Sequence, residues 1–271
     1  MKKFLTLVEI EFRNLIFILI GFFVALTAIS SFLFFISTSH ANTEASRVMS
    51  QSAMSVAEFT ATNGYFTLIS AITAQHYMLF IFVFFVLIVA LSFWIWQREW
   101  AGKSKGIYFL LSLRASRTRI LMTKLLVIII TSWLFFGMIL INLAIGGLIM
   151  NIVLGSDLTG DALISGYLQN ANWILSFALP ISFPHFIYHT FFTIVVFSTM
   201  TAWILLTKSF KWIGGITGFI YCVAILSVYI YTQTLWLFYD ERILVEWTFV
   251  LGACIIGLTL NWWLVTKRIS V

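Results

Sequence analysis

The segment Arg98 to Lys124, "REWAGKSKGIYFLLSLRASRTRILMTK", lies between two apolar runs and holds seven of the 16 Lys and Arg residues of the chain. Two kinds of chemistry suit such a block. It can fix the orientation of the membrane spans beside it, and it can contact an acidic partner or anionic headgroups. Ile107, Leu110, Leu111 and Leu113 recur at near-helical spacing ahead of Arg114, Arg117 and Arg119, and Gly102 and Gly106 permit a sharp turn away from the preceding run. The pattern predicts a helix along the cytoplasmic surface, with its apolar side in the lipid or the bundle. Glu99 stands at the boundary four residues before Lys103, a spacing that also suits a simple i,i+4 salt bridge.

The other chemistry-bearing residues offer less. His185 and His189 are one turn apart and are able to clasp a metal, but no carboxylate or cysteine accompanies them in sequence, so interfacial histidines are the expectation. Cys222 and Cys254 each fall inside an apolar run, where a thiol behaves as a small hydrophobe. "AGKSKG" has a lysine and glycines but neither the spacing nor the preceding strand of a P-loop. GxSxG, HExxH and paired acidic motifs are absent as well. The expectation is a chain that is not an enzyme and holds no metal or cofactor of its own.

Composition says which elements must position these residues. Of 271 residues, 61% are hydrophobic and only 10% charged, with a mean hydropathy of +1.03. A soluble domain carries about 25% charged residues, so this chain cannot cover a water-facing surface and is read as an integral membrane protein. Its net charge of +6 sits in short blocks between apolar runs, which argues for headgroups and topology rather than nucleic acid.

A crossing needs about 20 apolar residues. Runs at 15–36, 77–96, 120–153, 185–206, 213–232 and 247–265 qualify, which predicts six transmembrane helices in one domain covering 1–271. The segment 162–183 has the length but carries Gln169, Asn170 and Asn172, and Pro180 and Pro184 end it. It is expected to be an external helix or re-entrant element. With six spans, both termini are cytoplasmic: Lys2, Lys3, Arg13, Lys208, Lys211, Lys267 and Arg268 lie inside with the 98–124 block, and only Arg47 and Arg242 lie outside. The stretch before residue 15 carries Glu9, Glu11 and Arg13 where a signal peptide would turn apolar, so an amphipathic N-terminal helix on the membrane is expected. The Thr- and Ser-rich 38–63 region is expected to extend the first span as a helix that turns near Asn63 and Gly64. No Asp, Glu, Lys or Arg falls deep inside these runs, so ion-gradient coupling has no midplane group to use.

The order of residues in the basic block resembles the first cytoplasmic loop of the ABC type-2 permeases, the membrane subunits of a class of ABC exporters. Glu99, Gly102, Leu110, Leu111 and Ser112, then Ala115, Ser116 and Arg117, then Lys124 fill the family's ordered places. Arg114 stands where the family often has proline, and Lys103-Ser104-Lys105 replaces a more usual Gly-Thr start. The six-span plan is similar to the family's along the full length. The resemblance implies that this loop is a coupling helix docking a separate ATPase, through Arg98, Glu99, Gly102, Lys103, Lys105, Gly106, Ser112, Arg114, Arg117, Arg119 and Lys124. It further implies two ATPase copies carrying ATP and Mg²⁺, a second permease identical or homologous to this one, and a bacterial plasma membrane.

Cargo would then cross between the two permeases. Thr217, Tyr221 and Tyr231, with Ser227 beside them, give the fifth run a semi-polar stripe, and Phe82 and Phe85 could line an apolar route. Gly214 and Gly218 form a small-xxx-small pair, which marks close helix packing more often than binding. The expected cargo is hydrophobic or amphipathic, a peptide first. The competing expectation is a non-transporting membrane scaffold or sensor acting through external segments 38–75 and 155–184.

Overall fold

The computed structural model describes residues 2–66, 74–101, 117–159, 183–235 and 238–268. In chain order the helices are α1 (Lys2–Ser52), α2 (Val56–Asn63), α3 (Ala74–Ala101), α4 (Arg117–Leu154), α5 (Phe183–Thr234) and α6 (Tyr239–Trp263), and α6 runs on into a π-helical turn over Leu264–Arg268. Among the described residues the one non-helical pairing is a parallel bridge between Phe66 and Thr159. Four stretches are long and apolar enough to cross a membrane: Phe4–Ser52, Arg117–Leu154, Phe183–Thr234 and Glu241–Lys267; Phe82–Arg98 is a shorter apolar helix. The chain is therefore an all-α protein of membrane character. The segment 162–182, expected to be an external or re-entrant element, lies outside the described residues.

Two of these helices exceed 50 residues, far more than one crossing needs. α1 has 51 residues, roughly 75 Å at 1.5 Å per residue, against about 30 Å of hydrocarbon. The amphipathic N-terminal stretch and the first apolar run are thus one continuous helix that also projects beyond any bilayer. α5 has 52 residues but is broken at Lys211 (φ 52°, ψ −126°). Its two arms fold back on each other: Cys222 Sγ lies 4.0 Å from the Thr199 carbonyl, and Trp203 Nε1 donates to the Gly215 carbonyl at 3.1 Å. Gly214 and Gly218 make this hairpin possible. A Cβ on Gly214 would stand 1.9 Å from the Leu206 carbonyl oxygen, and one on Gly218 would stand 2.9 Å from Trp203 Cα. The small-xxx-small pair is a packing device here.

By contacts the chain divides into two compact units, one from Met1–Asn14, Phe84–Trp133 and Phe183–Val271, the other from Leu15–Val83 and Leu134–Ser182. In the first unit α6 packs on the first arm of α5, where Asn261 Nδ2 donates to the Ser198 carbonyl at 2.8 Å. At the other end of α6, Arg242 donates to Gln233 Oε1 at 2.7 Å and to Glu246 Oε1 at 3.2 Å. Both basic residues expected outside are thus paired locally, Arg242 with Glu246 and Arg47 with Glu44 at 3.1 Å.

In the second unit α1 and α4 run parallel: the Phe34 ring covers Gly146, and Asn42 Nδ2 reaches the Val153 carbonyl at 3.3 Å. Ala45, Phe59, Met150, Leu154 and Leu158 close an apolar cluster at the far end of these helices. The 38–63 region departs from its expected single helix. α1 stops at Ser52, Ala53 takes φ 50°, and α2 begins under a capping box in which Ser55 and Glu58 satisfy each other's backbone amides. A cap of that strength starts a new helix where the old one ends. The expected turn at Asn63 and Gly64 is present, with Gly64 at φ 78°.

Candidate functional site

The described ends of the basic block meet at one carboxylate. α1 carries Glu11 and α3 carries Arg98 near its C-terminus, while α4 carries Lys124 two turns after its start. All three belong to the first unit. Glu11 Oε2 accepts from Arg98 Nη2 at 2.6 Å and Glu11 Oε1 accepts from Lys124 Nζ at 3.1 Å. Glu11 is buried, and the Lys124 side chain is 0% exposed.

An ammonium so placed needs every donor used. Lys124 Nζ also donates to the Ile95 carbonyl at 3.2 Å and stands 4.9 Å from the centre of the Trp96 ring. Trp96 is fixed in turn by its Nε1 donating to Thr201 Oγ1 on α5 at 3.0 Å. The cluster holds two cations and one anion, so the Ile95 carbonyl dipole and the Trp96 ring face carry part of the excess positive charge. Its arrangement binds four segments of the unit together, and Arg98 Nη1 is buried without a hydrogen-bond partner among the described residues. Chemically it is a clamp on the helices that carry it.

Arg117, at the start of α4, donates to the Val265 carbonyl at 3.4 Å, and Arg119 is exposed. Lys124, expected among the residues docking a partner, is turned wholly inward. Arg98 is turned largely toward Glu11, its side chain 27% exposed. Gly102, Lys103, Lys105, Gly106, Ser112 and Arg114 lie outside the described residues, as does the side chain of Glu99.

Thr217, Ser227 and Tyr231 are exposed, and the Thr217 hydroxyl is satisfied within its own helix by the Ile213 carbonyl at 3.0 Å. Tyr221 is half-buried, its hydroxyl facing the backbone at Gly257. Phe82 and Phe85 are exposed. His189 is buried with its ring edge-on to Phe84 at 6.4 Å, and His185 is exposed. Among the described residues no group of three or more His, Cys, Asp or Glu is placed to hold a metal.

Sequence reasoning missed Glu11 as the centre of the cluster, with Trp96 and Thr201 as its support. A signal was available. A lysine inside an apolar run must find an anion, and on the cytoplasmic side of the expected topology the acids are Glu9, Glu11 and Glu99.

Comparison of the chain with protein-family models, with curated proteins and with solved structures finds no match.

Proposed function

We propose that the chain is the transmembrane permease subunit of an ABC exporter in a bacterial plasma membrane. It would have six spans, with α5 contributing two, and both termini in the cytoplasm. A separate ATPase, two copies per complex, supplies ATP hydrolysis with Mg²⁺, and a second permease, identical or homologous, completes the route. The cargo is a hydrophobic or amphipathic molecule, a peptide first.

The observation that supports this reading is the carboxylate of Glu11 between Arg98 and Lys124. Residues 102–116 connect α3 to α4, and Glu11 ties the last turn of α3 to the second turn of α4. A force applied to the connecting segment by a docked ATPase therefore enters both helices and α1 together, as a coupling element requires.

The test is purification of the tagged chain from its native membranes in mild detergent, with mass spectrometry and an ATPase assay. A P-loop ATPase should co-purify, and Glu99→Gln and Arg117→Glu should lose it or its coupled activity. Absence of any ATPase, under conditions that keep other membrane complexes intact, overturns the exporter and leaves the scaffold or sensor.

A further inference from the structure

The first unit carries a groove of about 540 Å³ that the coupling cluster does not use. It lies between the C-terminal half of α3 and the hairpin of α5. Phe93, Trp203, Ile216 and Phe219 supply apolar walls, and Lys208 and Lys211 stand on its lining at the break between the two arms. Trp212, next to them, is 81% exposed. Among the described residues no acid lines the groove.

This combination specifies an amphiphile with a negative head. The walls demand hydrocarbon, because exposed Phe93 (41%), Ile216 (47%) and Phe219 (54%) gain by covering with acyl chain. The hairpin break gathers two cations at the end of the apolar arms, and Lys208 Nζ is held 5.3 Å from the Trp100 ring centre. An exposed tryptophan at that level suits the headgroup boundary. A neutral amphiphile offers the two lysines no anion, and a water-soluble anion would leave the walls unmatched.

We propose that this groove is a binding site for an anionic glycerophospholipid, with the phosphate between Lys208 and Lys211 and an acyl chain along Phe93, Ile216 and Phe219. The proposed orientation enters only in assigning the lipid to the inner leaflet.

The full-length chain in detergent is titrated with dioleoylphosphatidylglycerol and, separately, dioleoylphosphatidylcholine, and lipid-bound states are resolved by native mass spectrometry. The expected result is one preferred phosphatidylglycerol site. The combined variant Lys208→Gln with Lys211→Gln weakens it roughly ten- to thirty-fold. Arg13→Gln with Lys267→Gln, which removes equal charge from exposed positions elsewhere, keeps it, and circular dichroism confirms that both variants are folded. Equal affinity for the two lipids overturns the proposal, as does equal weakening in the two variants, which would mean diffuse attraction. Displacement by glycerol phosphate at matching concentration also overturns it, since an anion site without acyl recognition would remain. None of these readouts involves an ATPase, so a failed co-purification leaves the lipid site standing, and the reverse holds.

Discussion

At the scale of single residues, Glu11 and Lys124 are not equivalent partners. Glu11 answers two cations, whereas Lys124 has the Ile95 carbonyl and the Trp96 ring in addition to the carboxylate. Glu11→Gln strands a fully buried ammonium beside a partly buried guanidinium, and the expected loss is about 3–5 kcal/mol. Lys124→Met keeps the 2.6 Å pair between Glu11 and Arg98, so its loss should be smaller. The double variant should recover part of the Glu11→Gln loss, because the stranded ammonium is gone. Thermal unfolding of the purified protein in detergent ranks the three. An equal loss from the two single changes would show that the cluster acts as one pair and not as a shared anion.

At the scale of elements, the α5 hairpin rests on where side chains are missing. The space at Gly214 is closed by backbone, which cannot move aside as a flexible side chain would. At the neighbouring Gly215 an added Cβ would meet only Thr207 side-chain atoms, at 3.8 Å and beyond, an ordinary contact. Gly214→Ala is therefore expected to cost about 1–3 kcal/mol by forcing the arms apart. Gly215→Ala should be neutral or slightly stabilising through helix propensity. Tryptophan fluorescence during unfolding reads both, since Trp203 lies between the arms. The hairpin also explains why Lys211 tolerates φ 52°. A non-glycine residue at this φ and ψ −126° lies outside the αL well and costs of the order of 1–3 kcal/mol, and the close packing of the arms on either side offsets it.

At the scale of the whole molecule, the proposed topology has a direct test. In a background with Cys222 and Cys254 replaced by serine, Glu44→Cys should react with a membrane-impermeant maleimide on intact cells. Arg13→Cys and Lys267→Cys should react only after permeabilisation. All three positions are exposed, so failure to label reports sidedness and not burial. Labelling of Lys267→Cys but not of Arg13→Cys in intact cells would require an odd number of crossings and would move the C-terminus outside.

Apolar runs bounded by charged blocks determined the helical class and membrane character, because only helices and closed barrels satisfy backbone polar groups in hydrocarbon and a barrel strand needs only about 9–11 residues. The runs at 15–36, 120–153 and 247–265 fall within α1, α4 and the α6 region, and those at 185–206 and 213–232 fall on the two arms of α5. Gly214 and Gly218 announced a close packing that the hairpin makes real. What spacing could not disclose was the partner across the fold. Glu11 lies 87 positions from Arg98 and 113 from Lys124, and no local period relates positions so far apart. Only the packing of α1 against α3 and α4 selects Glu11 over Glu9, two residues away and exposed. The stripe of Thr217, Tyr221 and Tyr231 shows the same limit from the other side. Helical periodicity places the three on one face, but the rest of the unit decides that Tyr221 is partly covered and its neighbours are not.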